Sequence, residues 1–270
     1  MSLALDLLAL SSAWLVMLGL ALSAPRGKAR VRGAGTALLL GYLLPGLGLW
    51  LLAGLGMAPA HLQGLALCLA AGFGTSGAAL HRLAGGDGRQ AAHLVIGSSL
   101  LAVLLVPLSI ACLGGPQLEV RVLGQVLLAC LLGQTLPYLL GRLLLWRAPA
   151  LSHRLAAPLE RLASAAVLLV IALVALQTLA RLGARPELLL AAILLVALLL
   201  LARLDRRSVA AGNPQVLLLV RNLGGAILVA RVLPEPAEVL LAIAAFGLPM
   251  YGVALLGLAL YRRPQASAGP

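Results

Sequence analysis

Long apolar runs, separated by short basic or proline- and glycine-containing segments, recur along the whole chain. A helix needs roughly 20 apolar residues to cross the hydrocarbon core of a bilayer. Runs of about this length predict nine spans, at residues 3–23, 36–57, 64–81, 92–113, 122–141, 163–180, 187–202, 213–232 and 238–260. The pattern is typical of an all-α polytopic membrane protein.

Two of the predicted spans are interrupted by glycine and polar residues. The third contains Gly72-Phe73-Gly74-Thr75-Ser76-Gly77, and the eighth contains Val220-Arg221-Asn222-Leu223-Gly224-Gly225. Closely spaced glycines weaken a helix, and a charge in the centre of a membrane costs at least about 2.5 kcal/mol. We therefore predict that both spans are broken helices and that the broken segments carry the function.

The order of the spans predicts an internal repeat. The two interrupted spans are five apart, so they cross in opposite directions, as in an inverted-topology repeat. The predicted division is a first repeat at 1–141, a cytoplasmic linker at 142–162, a second repeat at 163–263 and a disordered tail at 264–270. Backbone N–H groups freed by such breaks suit an anion, and freed carbonyls suit a cation. The alternative is that the glycines only permit close helix packing.

The basic residues predict an orientation. A net charge of +12 would suggest a nucleic-acid partner in a soluble protein, but this chain is 62% hydrophobic and only 10% charged. With the N-terminus outside, the predicted inside segments hold the basic clusters at 26–32, 82–89, 142–161, 203–207 and 262–263. The outside segments hold only Arg121, Arg181, Arg185 and Arg231. This bias follows the positive-inside rule.

The sequence therefore predicts a multi-pass protein of the plasma (inner) membrane, with the C-terminus cytoplasmic, the lipid bilayer as partner and no nucleic acid. The first apolar run has no basic residue before it and is about 20 residues long. We interpret it as a retained span and not as a signal peptide.

Several motifs resemble the bile acid:sodium symporter family in their order. They are Gly41-Tyr42-Leu43-Leu44-Pro45, the first glycine-rich break, Leu83-Ala84-Gly85-Gly86-Asp87, Ser98-Ser99-Leu100-Leu101 with Pro107, and Arg221-Asn222. The resemblance runs from about residue 12 to 260. It implies two inverted five-helix repeats whose broken helices cross near the membrane centre, with the first helix of the first repeat missing here.

The chain departs from that family where sodium is bound. Sodium-coupled members carry Thr-x-Ser-Asn in the first break, and this chain keeps only the threonine, Thr75. The serine and threonine of the next helix correspond to Ala91 and Val95. In the second break Leu217 replaces a glutamate, Arg221 replaces a glutamine, and the asparagine is kept as Asn222. The resemblance thus implies that most side-chain sodium ligands are absent.

We predict that Arg221 takes the place of the bound cation. A guanidinium is permanently charged and offers five donors, so it can bind freed carbonyls and attract a small carboxylate. The predicted function is secondary transport of small organic anions that is not coupled to sodium in the family's usual way. The predicted substrate-binding residues are Thr75, Ser76, Gly77, Arg221, Asn222 and Gly224. The alternative role for Arg221 is purely structural.

Two other functions stay open at this point. One is a sodium-dependent symporter that binds the ion through backbone carbonyls, and the other is a non-transporting membrane sensor or assembly protein. None of the eight acidic residues lies deep in a predicted span, which disfavours sodium and buried-carboxylate proton coupling. No cofactor, no metal site and no enzymatic motif is predicted.

Four further polar residues are candidates for lining a cavity: Ser98, Ser99, Gln134 and Thr135. The serines could face the crossing or bond back to their own helix. The Gln134-Thr135 pair, with Pro137, could line a cavity or only kink the fifth span. Residues 249–251, Pro-Met-Tyr, could kink the last span or line the substrate path in the same way.

Overall fold

The computed structural model describes residues 3–23, 34–84, 88–113, 119–203 and 220–266. These ranges are helical apart from turns and one isolated β-bridge, which confirms the all-α class. The helices are α1 (Leu3–Ser23), α2 (Ala34–Gly54), α3 (Pro59–Ala70), α4 (Thr75–Leu83), α5 (Gly88–Leu113), α6 (Val120–Cys130), α7 (Leu136–Arg147), α8 (Pro149–Gly183), α9 (Pro186–Arg203), α10 (Leu223–Ala230) and α11 (Pro236–Ala266).

Three helical stretches of the described chain are long and apolar enough to cross a membrane. They are His93–Leu113, Val120–Arg147 and Pro236–Ala259, with mean hydropathies of 2.4, 1.5 and 2.2. Shorter apolar helices include Gly41–Gly54 and Pro186–Leu201. The predicted count of nine spans stays a prediction.

The predicted break in the third span is present. Helix α3 ends at Ala70, residues 71–74 are not helical, and α4 begins at Thr75. Helix α3 begins earlier than predicted, at Pro59, because proline is well tolerated in the first helical turn. In the eighth predicted span, residues 213–219 lie outside the described residues, and α10 follows the non-helical residues 220–222.

The segment predicted as a linker, 142–162, is helical and not a loop. It consists of the end of α7 and the start of α8, which meet at Ala148 (φ −139°, ψ 68°). Pro149 stands at the first position of α8, where its fixed φ suits a helix start. Helix α8 then continues through the sixth predicted span for 35 residues, about 52 Å at 1.5 Å per residue.

The fifth predicted span is continuous as well. A π-helical turn at Leu131–Thr135 joins α6 to α7, so the polar pair 134–135 widens the helix instead of ending it. Such π-turns are frequent at functional sites. At the C-terminus, α11 extends to Ala266, so residues 264–266 of the predicted tail belong to this helix and the remainder lies outside the described residues.

The two short half-helices are the most enclosed elements. All residues of α3 from Ala60 to Ala70 are buried, and so are seven of the eight residues of α10. Helix α3 packs against α11, α5 and α2, while α10 packs against α1, α11 and α3. The packing therefore centres on the two segments that carry the glycine-rich sequences.

Three helix ends are joined by one acidic side chain. Glu238, in the first turn of α11, accepts a hydrogen bond from His61 Nε2 of α3 at 3.0 Å and pairs with Arg181 of α8. The His61 side chain is 5% exposed, whereas that of Arg181 is 49% exposed. The contact with His61 therefore carries most of the stabilisation, because exposed ion pairs contribute little.

Replacement of Glu238 by alanine is expected to lower the free energy of unfolding by about 1–2 kcal/mol, because it leaves the buried His61 ring without its acceptor. Thermal unfolding of the detergent-solubilised protein measures this change. Glu235→Ala is the control, since Glu235 is exposed on the preceding turn. Equal melting temperatures for the two variants would contradict a structural role for the His61–Glu238 bond.

Candidate functional site

The two glycine-rich segments meet and pair with each other. Phe73 and Arg221 form an isolated antiparallel bridge. Gly74 N donates to Val220 O at 2.6 Å, and Asn222 N donates to Gly72 O at 2.8 Å. These bonds satisfy main-chain groups that the helix breaks would otherwise leave buried and unpaired. The antiparallel pairing also means that the two segments run in opposite directions at the crossing.

The side chain of Arg221 lies in the centre of this crossing and is 1% exposed. Its Nη2 donates to Gly41 O at 2.7 Å, and Nη1 approaches Ala71 O at 3.4 Å. The guanidinium carbon lies 4.8 Å from the ring centroid of Tyr42 and 4.6 Å from that of Phe73. A planar cation between two aromatic rings is a favourable cation–π arrangement.

Both carbonyls bound by Arg221 lack their usual helical partner. The Gly41 carbonyl would accept from the N–H of residue 45, but that residue is Pro45, which has none. The Ala71 carbonyl follows the last residue of α3, where the chain turns to an extended conformation (φ −57°, ψ 142°). Arg221 therefore binds carbonyls freed by a proline and by a helix break, as a metal cation would.

The charge of Arg221 is not balanced by a carboxylate within the described ranges. Its contacts there are main-chain carbonyls and the side chains of Tyr42 and Phe73. In the same part of the chain, no group of three His, Cys, Asp or Glu side chains could hold a metal ion. A buried guanidinium that no described carboxylate balances is suited to an anionic ligand.

The predicted residues of the first break lie at the start of α4. Gly77 N donates to Gly74 O at 3.1 Å, and Ser76 is buried with its Oγ 3.3 Å from the hydroxyl of Tyr251 on α11. Thr75 is the first residue of α4, and its side chain lies outside the described part of the structure. The hydroxyl of Ser76 thus ties α4 to the last helix.

The predicted residues of the second break form the start of α10. Asn222 is the N-cap, and its Oδ1 accepts from Gly225 N at 3.2 Å, a bond that stabilises the helix start. An added Cβ at Gly224 would lie 3.4 Å from Ser12 Oγ of α1. Asn222 therefore orients the half-helix, and Gly224 faces α1, where an added Cβ would make an ordinary van der Waals contact.

The cavity-lining candidates separate into two kinds. Ser98 bonds back to Val95 O at 3.1 Å and also accepts from Phe73 N at 2.8 Å, which fixes the first break against α5. The hydroxyls of Ser99 and Thr135 are buried without a hydrogen-bond partner and line the same narrow space, together with Met17. The side chain of Gln134 lies outside those described.

Comparison with protein-family models and with curated proteins finds no match for this chain. The resemblance to the bile acid:sodium symporter family consequently stays a prediction from its motifs. The geometry of the site is that of a buried guanidinium, Arg221, which binds two main-chain carbonyls and lies between the rings of Tyr42 and Phe73.

The sequence predicted no role for three residues of this site, and for Met250 only that it could kink the last span or line the substrate path. Tyr42 and Phe73 enclose the guanidinium, Pro45 frees the Gly41 carbonyl, and the Met250 sulfur accepts from Arg221 N at 3.2 Å. A proline four residues after a glycine in an apolar helix is a sequence signal for a free carbonyl, but it does not identify the donor. The aromatic residues carry a weaker signal, since rings in apolar helices usually only pack.

Proposed function

We propose that this chain is a secondary transporter of small organic anions, mainly carboxylates, in the plasma (inner) membrane. It spans the membrane nine times, with the N-terminus outside and the C-terminus in the cytoplasm. Its two halves are inverted repeats, with the first helix of the first repeat missing. Substrate binds beside the helix crossing, near Thr75, Ser76, Gly77, Arg221, Asn222 and Gly224.

One observation carries the proposal: two glycine-rich segments pair in opposite directions around a buried guanidinium that has no carboxylate partner among the described residues. In secondary transporters, ion and substrate sites typically lie where two broken helices cross near the middle of the membrane. A permanent positive charge at that point attracts an anion. The proposal rests on this combination and not on either feature alone.

The proposed topology is supported by the cluster of Glu238, His61 and Arg181. The loop charges assign the start of α3, the end of α8 and the start of α11 to the outside. These three ends lie together in the fold, joined through one carboxylate. If the chain made an odd number of additional membrane crossings between any two of these helix ends, the two ends would lie on opposite sides of the membrane. They could then not be in contact.

Arg221 replaces a bound cation in this proposal. It binds two carbonyls that have no helical partner, which is the role that a sodium ion could play at a helix break. Because the positive charge at the crossing belongs to a side chain, no ion has to be bound or released during the transport cycle. Transport therefore proceeds as uniport or exchange. The second candidate is a sodium-dependent symporter, in which the ion binds other backbone carbonyls near the crossing.

Transport alternates by movement of the two broken segments and the helices around them against α1, α7 and α8. The narrow space between Met17, Ser99 and Thr135 marks the seam between these two groups of helices. Its two hydroxyls without partners are available to a polar substrate when the seam widens. No covalent chemistry is involved, so the protein is not an enzyme in this proposal.

Uptake of labelled carboxylates into proteoliposomes tests the proposal. We expect uptake down the substrate gradient, and counterflow, at the same rate with sodium inside, outside or absent, because no sodium ion takes part. Choline chloride provides the matched ionic strength. A rate that depends strongly on a sodium gradient would instead favour the sodium symporter. Absence of both transport and ligand-dependent stabilisation across a carboxylate panel would favour the sensor or assembly protein.

A further inference from the structure

The adjoining ends of α7 and α8 carry a cluster of basic side chains. Four arginines near this junction are exposed, namely Arg142 and Arg147 of α7 and Arg154 and Arg161 of α8. No carboxylate in the described ranges pairs with any of them. The sequence of residues 142–162 contains a single acidic residue, Glu160, so this surface is positively charged.

Trp146 marks the level of the lipid headgroups at the end of α7. Leu139, Leu143 and Trp146 are spaced by about one helical turn each and are exposed, so they share one outward face of the helix. Trp146 is 73% exposed, and the guanidinium carbon of Arg147 lies 4.9 Å from its ring centroid. Tryptophan is enriched where the hydrocarbon core meets the headgroups. Arg147 is therefore placed at the level of the lipid phosphates.

The start of α8 lies against neighbouring helices and does not project away from them. Ser152 is buried, and Ala163, also buried, belongs to a small apolar cluster with Met17 of α1, against which Tyr138 of α7 packs. Helix α8 has therefore returned to the level of Tyr138 at the point where its apolar part begins. The segment before that point stays beside the end of α7, near the membrane surface.

The exposed side of this segment is amphipathic. Arg154 and Arg161 are two helical turns apart and lie on one face. Leu151, Pro158 and Leu162 form a second exposed row beside them. A basic row next to an apolar row is typical of helices that lie in the membrane interface. The apolar row suits the upper part of the acyl chains, and the basic row suits the phosphates.

We propose that the ends of α7 and α8 bind the headgroups of anionic phospholipids in the cytoplasmic leaflet. The four arginines bind phosphate oxygens, which a guanidinium can contact two at a time. A zwitterionic lipid carries its own ammonium beside the phosphate and therefore gains less from the arginines. The inference goes beyond the proposed function and takes from it only the side of the membrane on which this surface lies.

Quenching of tryptophan fluorescence by brominated lipids measures which lipids surround this surface. The chain has three tryptophans, and Trp50 of α2, which is 77% exposed, lies on the opposite side of the membrane in the proposed topology. Trp14→Phe/Trp50→Phe retains only Trp146, and Trp14→Phe/Trp146→Phe retains only Trp50. Each full-length protein is reconstituted into mixed vesicles in which either phosphatidylglycerol or phosphatidylcholine carries the bromine.

We expect phosphatidylglycerol to be preferred over phosphatidylcholine by at least about fivefold at Trp146, since one basic residue near the surface contributes roughly that factor. Neither lipid should be preferred at Trp50. The preference at Trp146 should fall as the salt concentration is raised, because exposed charges are screened.

Two double variants remove the same charge from opposite sides of the protein. In the protein that retains Trp146, Arg147→Gln/Arg154→Gln should lower the preference for phosphatidylglycerol at least about fivefold. The matched control is Arg121→Gln/Arg185→Gln, which changes two exposed arginines of the other side. It should leave the preference unchanged.

Equal quenching by the two lipids at Trp146 would overturn the inference, and so would a preference that survives Arg147→Gln/Arg154→Gln. A preference that inorganic phosphate removes at constant ionic strength would mark a site for free phosphate and would overturn it as well. These measurements involve no carboxylate and no transport. Their failure therefore leaves the proposed function standing, and absence of carboxylate uptake would leave the lipid preference standing.

Discussion

Replacement of Gly72 by alanine is expected to destabilise the protein by about 3 kcal/mol, at the upper end of the usual cost of overpacking. An added Cβ at this position would lie 2.7 Å from both Cα and N of Ser99. These are backbone atoms in the middle of α5, so no side-chain rotation can relieve the clash. The helix or the first break must shift, and Gly72 O is itself part of the bridge between the breaks.

Thermal or denaturant unfolding in detergent measures this effect, and Gly97→Ala is the control on the neighbouring helix. Gly97 is a helical glycine of α5, and its added Cβ has open space. Alanine there should be neutral or slightly stabilising because of its higher helix propensity. Equal stability of the two alanine variants would show that α5 and the first break are not in the close contact described.

The position of the first break was predictable because its cause is local. Glycines at 72, 74 and 77 remove side chains from a short stretch, and a helix is weak where several glycines lie close together. The opposite direction of the second segment followed from counting spans. The antiparallel bridge between Phe73 and Arg221 agrees with this direction, although it says nothing about the number of crossings.

The environment of Arg221 was only partly predictable because its contacts join distant parts of the chain. Binding of a carbonyl freed by the first break follows from the sequence argument, and the contact to Ala71 O fits it. The contact to Gly41 O depends on how α2 packs against the crossing, 180 residues earlier in the chain. No local pattern around Arg221 encodes which helix it reaches, or that Tyr42 and Phe73 enclose it.

The helical conformation of the predicted linker did not follow from its mixed composition, because mixed composition does not prevent a helix. Residues 142–162 alternate basic, apolar and proline positions, which was interpreted as a connection between two halves. Proline is compatible with a helix start, so Pro149 begins α8 instead of interrupting it. Pro158 is accommodated inside the same helix. Hydropathy identified where the apolar part of α8 begins, but not where the helix begins.

Arg221→Met is expected to weaken carboxylate binding by roughly 10- to 150-fold, because a hydrogen bond to a charged donor contributes about 1.5–3 kcal/mol. Its effect on folding should be smaller, since two consequences oppose each other. Two buried carbonyls, Gly41 O and Ala71 O, lose their donor at about 1–3 kcal/mol each. At the same time, removal of a buried cation recovers a desolvation penalty of several kcal/mol.

Ligand-induced thermal stabilisation and unfolding of the same samples separate these two effects. Arg142→Met, at an exposed position of α7, is the matched control and should keep both ligand response and stability. Arg221→Lys should retain part of the ligand response, since it keeps the charge, but not the planar stacking between Tyr42 and Phe73. If Arg221→Met unfolds far more readily yet binds carboxylates like the unmodified protein, then Arg221 only holds the two breaks together and the anion site lies elsewhere.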